Sequence, residues 1–448
     1  MVIGGLTTAA AQTPEQLLLE QDKIDLTGRT SLTFGSGARA FGMGGAFLAR
    51  ADDATAASWN PAGLSYLRVP EVSLAGNRTL YRKETETDLG VDRDRFAGQT
   101  PDFAALTWPV RIGGLSGAIQ ASLQRTVPFG GSFTKVRQRS DAREAVESAG
   151  DASGGFDVLT FGTGWRVTRT LRAGVTVNRW FNGYTQTLDR NVPDSIRRKR
   201  TFDTDFGLEG WNANLGLIWS PVEQVNLGAV FKTPFTGAVS LNKKRTDYFF
   251  EGDEVTRNSF ISEDVRLRFP AVFGFGTSWR PRSALTLSAD LTRTLWSRSQ
   301  IVDYFTLQVT PRPVPEPVAS PPPVFYEPLQ YPALSKPQGN SDQIRFGVEY
   351  VFITSRFKLP LRAGYFNDQQ IERASDGSSP RFNGFTAGIG IILGPILFDV
   401  AYLYESGRFT ETVVSEATAD VPSTTTQRSN RLKTERFFVS LIYRIGSH

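Results

Sequence analysis

Residues 35–67 read GSGARAFGMGGAFLARADDATAASWNPAGLSYL. Gly42, Gly44 and Gly45, with alanine at most other positions, leave too little side-chain bulk for a core of the segment's own. The stretch is therefore expected to be packed tightly inside another structure, where glycine lets two backbones approach closely. Asn60, Pro61 and Gly63 then read as a turn: asparagine caps the local backbone, proline fixes φ, and glycine accepts a left-handed conformation. A long alternating strand is expected to begin at Glu71, so the remaining chain supplies the enclosing structure.

Composition narrows what that structure is. Among 448 residues, 40% hydrophobic, no run of 18 apolar residues occurs, which excludes a helical membrane protein. The 42 glycines and 32 phenylalanines favour a membrane β-barrel, whose small residues and aromatic girdles leave overall hydropathy modest because alternate residues face a polar lumen. The chain has no cysteine, so neither a disulfide frame nor a thiolate metal site is available. A net charge of +5 comes from scattered basic residues without any nucleic-acid module, and no nucleic-acid partner is expected.

The pattern after residue 68 predicts about 14 strands, at 71–82, 102–111, 115–127, 156–167, 171–186, 206–220, 223–238, 262–280, 284–300, 342–354, 357–371, 381–393, 395–410 and 430–446. Their connections alternate between tight turns, such as Gly113-Gly114 and Pro221-Val222, and long polar segments at about 83–101, 128–155, 187–205, 239–261, 301–341, 372–380 and 411–429. Short turns on one side and long loops on the other are the asymmetry of an outer-membrane barrel. Trp108, Trp165, Trp219 and Trp279 each precede a short turn and would form one interfacial girdle, with Trp180, Trp211 and Trp296 towards the loop ends.

Within strands, Leu267, Phe269, Ala271, Phe273 and Phe275 share one predicted face, as do Ile344, Phe346, Val348 and Tyr350; these faces would meet outer-membrane lipid. Arg345, Glu349, Arg362, Asp290, Asp399 and Glu405 would then point into the lumen, because a charge on the lipid face costs roughly 2–4 kcal/mol. Leu397, Ala401 and Leu403 make part of that lumen apolar, which suits a poorly soluble ligand. The loop at 301–341 concentrates proline and is expected to run as polyproline II, a surface strap or a docking site for an envelope protein partner.

Catalytic chemistry is poorly provided for. His448 is the single histidine, so Ser-His-Asp catalysis and a histidine zinc site are out of reach, and neither enzyme activity, a metal nor a cofactor is expected. Asp52-Asp53 reads as a local cap rather than an acid pair.

The glycine/alanine run followed by DDAT and NPAGL resembles the N-terminal hatch of the FadL/TodX family of outer-membrane transporters for hydrophobic compounds. Residues 215–237 (LGLIWSPVEQVNLGAVFKTPFTG), 269–297 (FPAVFGFGTSWRPRSALTLSADLTRTLWS) and 344–368 (IRFGVEYVFITSRFKLPLRAGYFND) are similar to that family's barrel strands in order and spacing. The resemblance implies a signal-peptide remnant at 1–11, a hatch at 12–67 filling the lumen, a transmembrane antiparallel β-barrel at 68–448, and passive uptake of long-chain fatty acids or other hydrophobic small molecules. It also implies that the ligand passes from an apolar site near the extracellular loops to a pocket lined partly by the hatch, then leaves sideways through the wall. Phe41, Phe47, Trp59 and Leu64 are the expected ligand contacts, and Gly42, Gly44, Gly45, Asn60, Pro61 and Gly63 the packing and turn residues. The hatch motif is also similar to that of PorV-like barrels, which gives the alternative of a barrel subunit or anchor in a secretion or larger envelope complex.

Overall fold

The computed structural model describes residues 35–87, 90–139, 144–191, 197–249, 254–299, 339–370, 374, 377–415 and 424–446. The expected signal remnant, the early part of the hatch and the proline-rich loop up to residue 338 lie outside them. From Glu71 onward the chain is a closed antiparallel β-barrel of 14 strands. The strands are β1 (Glu71–Thr87), β2 (Gly90–Ile112), β3 (Leu115–Pro128 and Gly131–Arg139), β4 (Glu144–Arg166), β5 (Leu171–Phe181 and Gly183–Asn191), β6 (Arg197–Val222) and β7 (Val225–Lys232 and Phe235–Phe249). There follow β8 (Glu254–Phe269 and Val272–Arg282), β9 (Leu285–Thr294), β10 (Ser341–Ile353), β11 (Lys358–Gln369), β12 (Arg381–Leu393), β13 (Ile396–Ser415) and β14 (Thr424–Arg444). Each strand pairs with its sequence neighbours, and β1 pairs with both β2 and β14, so the sheet closes without a free edge strand.

Alternation decides which face is which. Leu215, Leu217 and Trp219 on β6, and Phe385 and Ile389 on β12, are exposed on the outside, whereas Asn214, Ile218 and Thr386 are buried inside. Trp108, Trp219 and Trp279 project outwards beside the tight turns, placing an aromatic band at the turn end of the barrel.

Three expectations are corrected. The stretches at 83–101, 128–155, 187–205, 239–261 and 411–429 are largely strand rather than loop. β6 is 26 residues long, where about 9–11 suffice to cross a bilayer, so the hairpins stand well clear of it. Outside the bilayer neither face of a strand needs to be apolar, and cross-strand charges such as Lys199–Asp189 at 2.7 Å replace the hydrophobic alternation that sequence reading follows. Second, Phe269 is buried inside rather than facing lipid with Phe273 and Phe275. β8 is interrupted at Pro270 and Ala271, where proline has no N–H to give the ladder, and the interruption resets the inside–outside phase. Third, Trp180 and Trp296 turn into the lumen; their indole N–H groups donate to Asn212 Oδ1 at 2.9 Å and Ser341 Oγ at 3.0 Å.

Candidate functional site

The described part of the hatch holds two short helices, α1 (Ala38–Gly42) and α2 (Ala56–Trp59), and a 3-10 helix, Pro61–Tyr66. Asn60 Oδ1 accepts from Ala62 N at 3.1 Å, while proline at the first position loses no bond, since that N–H has no partner within the helix. Gly63 does not take the expected left-handed conformation; it sits within the 3-10 helix, where a Cβ would collide with the carbonyl of Ala51. Gly44 and Gly45 do lie in the left-handed region, at φ 67° and 76°. Asp53 caps locally, accepting from Thr55 N at 2.9 Å and Thr55 Oγ1 at 2.6 Å.

Hatch and wall meet backbone to backbone. Inward-facing Gly347 and Gly364 leave room for the main chain of Met43 and Gly44, Gly228 for that of Leu48 and Gly174 for that of Pro61, while Gly216 makes room for the Asn60 side chain and the Pro61 ring. Wall side chains then satisfy hatch backbone groups. Asp290 accepts from Phe47 N at 2.6 Å and Leu48 N at 2.8 Å; Thr386 Oγ1 accepts from Gly44 N at 2.9 Å and donates to Gly42 O at 3.0 Å; Gln120 donates to Ala54 O at 2.7 Å. Asn60 Nδ2 bridges Leu48 O and Leu217 O at 2.8 and 3.0 Å. These bonds replace water for a segment too irregular to pair with itself.

An ion network fastens the same contact. Arg362 Nε donates to Glu349 Oε2 at 2.7 Å and its Nη1 to Asp399 Oδ1 at 2.6 Å. From the hatch, Arg39 reaches Glu349 at 3.3 Å, Asp52 at 2.7 Å and Asp53 at 3.2 Å, and Arg50 pairs with Asp52 and with Glu349. Arg345 binds Asp368 at 2.8 Å and Gly44 O at 3.0 Å. Burial by itself would raise the Asp52 carboxyl, but the neighbouring Arg39 and Arg50 outweigh it and hold it below the usual carboxylate range. Burial would lower Arg39, yet Asp52, Glu349 and Asp53 push it well above its ordinary value. Glu349, Arg362 and Asp399 are thus brought together in the interior, with the Arg362 side chain only 2% exposed, while Arg345 is buried in a separate pair with Asp368.

Phe41, Phe47, Trp59 and Leu64 are brought together too, but around one another. Trp59 meets Phe41 and Phe47 edge-on at 5.7 and 5.9 Å, Phe41 stacks on Phe438 of β14 at 4.2 Å, and Leu64 lies over Gly164. They form the hatch's own core. A second apolar group lies on the hairpin side of the hatch, further along β4 and β6 than Gly164 and Gly216. There Tyr184 contacts Phe129 at 4.5 Å and Phe206 at 5.4 Å, and Phe235 stacks between Phe269 at 4.4 Å and Trp180 at 5.2 Å. Sequence reading missed Phe129, Phe235 and Phe269 because they lie at the strand interruptions 129–130, 233–234 and 270–271, where the phase of alternation shifts, whereas Phe156, Trp180, Tyr184 and Phe206 keep the inward phase of their strands. At the other end of the hatch, a cavity of about 180 Å³ is lined by Ala49, Arg50, Asp52, Tyr66, Asn226 and Arg280. The β2–β3 ladder also opens beside the aromatic cluster: pairing runs to Phe103 and Gln124 and resumes at Ala97 and Ser132, leaving 98–102 and 125–131 without mutual pairs.

A lumen occupied by an N-terminal hatch, in a barrel of 14 consecutive antiparallel strands, can be set beside solved structures. A Pseudomonas aeruginosa FadL homologue superposes with a TM-score of 0.59 at 13% identity, covering 92% of this chain and 98% of the other. The toluene transporter TodX of P. putida gives 0.57 at 13% identity (93% and 100% covered), and the Ralstonia pickettii toluene transporter TbuX gives 0.52 at 14% identity (93% and 99%). This is the FadL-type barrel fold. At such identities the likeness rests on the path of the chain, and the FadL-type fold is what the two share. No family model matches this chain, and no curated protein does.

Proposed function

We propose that this protein is a bacterial outer-membrane channel for passive uptake of hydrophobic small molecules, long-chain fatty acids or aromatic hydrocarbons among them. The observation that carries this reading is the aromatic cluster of Phe129, Phe156, Tyr184, Phe206, Phe235 and Phe269 inside the hairpin end of the barrel. Few soluble solutes would gain from rings held in a lumen, whereas a ligand that leaves water for this surface gains about 25 cal/mol per Å² of apolar area covered. In this reading the tight turns face the periplasm and the cluster receives ligand from outside. The hatch bars direct passage, and the β2–β3 seam supports a sideways exit into the membrane. The toluene transporters with the same fold are a guide to ligand chemistry.

Binding of naphthalene and of oleate to the purified protein, followed through the fluorescence of Trp180 and Trp296 within the cluster, tests the reading. Phe156→Ala and Phe206→Ala should each weaken binding roughly ten-fold, the loss expected when a buried aromatic anchor is removed. Equal affinities in parent and variants would show that ligand binds elsewhere. Tighter binding of one probe would choose between hydrocarbon and fatty acid.

A further inference from the structure

On its outer wall the barrel sets like charges directly opposite one another. Phe437, Val439, Leu441 and Tyr443 of β14 are exposed, and the unshifted register of that strand carries the same outward phase on through Glu435, Lys433 and Arg431. Lys433 is paired across the ladder with Arg82 of β1, and Arg82 with Arg95 of β2; in the next row Arg431 is paired with Arg408 of β13. Directly paired side chains stand about 5 Å apart at Cβ, where like charges repel. None of these five cations makes an ion pair or side-chain hydrogen bond among the described residues. The nearby acids do not cancel them: Glu84 is held by Arg93 at 3.7 Å, and Glu435 lies one row back, opposite Leu80 and Tyr404. By contrast, Arg293 of β9 meets its opposite charge across the ladder, Asp342 of β10, at 3.4 Å.

The same strands fix the height of these rows. On β13 the outward side chains Ile396, Phe398, Val400, Tyr402 and Tyr404 cover the stretch 396–404, close to the roughly 9–11 residues with which a tilted strand crosses a bilayer. Tyr402 lies against Phe437 at 5.0 Å as part of an aromatic border, and the outward phase continues beyond it through Ser406 to Arg408. The cationic rows therefore begin where hydrocarbon ends, at the hairpin end of the barrel. A lipid seated there meets both surfaces at once, its chains along the apolar wall and its headgroup on the cations. An acidic protein would meet only the charges.

We infer that the outer wall across β13, β14, β1 and β2 is a binding site for a lipid whose headgroup carries clustered phosphates, held by Arg82, Arg95, Lys433, Arg408 and Arg431. A headgroup with several negative charges relieves the repulsion within both rows, which a zwitterionic one would not, and guanidinium matches phosphate with two parallel N–H···O bonds. With the hairpins facing outwards, the lipid belongs to the outer leaflet. The inference shares with the proposed function only the placement of the barrel in its membrane; the site lies on the opposite face of the wall from the hatch and the aromatic cluster.

Binding to the detergent-solubilised full-length protein, read by native mass spectrometry in graded ammonium acetate, tests it with bisphosphorylated lipid A and its dephosphorylated form as probes. The bisphosphorylated form should bind about ten-fold more tightly or better, and raised salt should weaken it. Arg82→Gln, Arg95→Gln and Lys433→Gln should each cost roughly five-fold, and the three together on the order of 100-fold, the worth of basic residues beside an anionic lipid surface. Arg293→Gln, whose charge is already paired, should leave binding unchanged. The triple variant should remain heat-modifiable and, without lipid A, unfold at no lower temperature than the parent, since only repulsion has been removed; earlier unfolding would make these cations structural and overturn the inference. Equal affinities for the two lipids, or for parent and triple variant, would overturn it as well, and pyrophosphate binding as tightly as lipid A would show an anion site that does not need a lipid. Naphthalene binding by the triple variant should match the parent's, so failure here is separable from failure of the transport reading.

Discussion

Gly44, at φ 67°, shows how much of the closed state rests on single positions. A Cβ there would sit 2.8 Å from the carbonyl oxygen of Phe346 and 3.0 Å from Tyr365 N, both parts of a paired wall that cannot yield. A β-branched residue in that conformation costs of the order of 1–3 kcal/mol before any collision is counted. Gly44→Val should therefore loosen the hatch while the strands still close, and planar-bilayer recording should show raised ion conductance from a barrel that remains heat-modifiable. A variant as quiet as the parent would mean that the contact at residue 44 is dispensable.

Asp52 gives the same scale a pH dependence. Its carboxyl is held below the usual range in the docked hatch, so it takes up a proton less readily there than in the free segment. Its contribution is complete above the ordinary carboxylate pKa of about 4 and is lost only as pH falls through the depressed native value. Conductance should stay low from neutrality to about pH 4 and rise below it. A rise on first leaving neutrality would point to some group other than this acid. Arg362 belongs to the same network, and its near-complete burial between Glu349 and Asp399 makes it costly to remove: breaking a buried pair typically costs about 3–5 kcal/mol.

At the scale of elements, the hatch and the strands are held by different forces. Strands satisfy their backbone groups with one another, whereas the hatch takes hydrogen bonds from Asp290, Thr386 and Gln120 at the wall and gives one from Asn60 to Leu217 O. Deleting residues 35–67 behind an intact secretion signal should leave a folded barrel, because every ladder from β1 to β14 survives. The cost is an empty lumen with Asp290, Arg345 and Glu349 unpartnered by the hatch, so water should enter to hydrate them. The deletion barrel should conduct ions steadily where the parent is nearly closed. If it failed to fold, the hatch would be a template for the barrel rather than its plug.

The whole molecule is asymmetric along its axis: tight turns at one end, long hairpins and the aromatic cluster at the other. With the turns towards the periplasm, a protease added to intact cells should cut between residues 300 and 338, which join β9 to β10 at the hairpin end, and spare the turn at 283–284. The opposite preference would invert the orientation. Unboiled protein should also migrate faster than boiled protein in detergent gels, since a ladder closed from β14 back to β1 has no edge at which to fray.

By itself the sequence determined the barrel, its 14 strands and the inward set of Asp290, Arg345, Glu349, Arg362 and Asp399. A period of two in a lipid-facing strand is a local property, enforced at every step by the cost of a charge in hydrocarbon. The glycines at 42, 44 and 45 were legible as close-packing positions for a similar reason, since residues without side chains can be explained only by a near neighbour. The tertiary structure alone decided what those neighbours are. That Asp290 caps Phe47 and Leu48, that Arg39 and Arg50 complete the pairing of Glu349, and that Phe41, Phe47 and Trp59 spend their surface on one another depends on how the hatch lies in the lumen. No periodicity records that placement. Part of the aromatic cluster was hidden for a related reason: an interruption that shifts the phase inverts every face beyond it, so Phe235 and Phe269 could be assigned to the lumen only once the interruptions and the register across them were fixed in three dimensions.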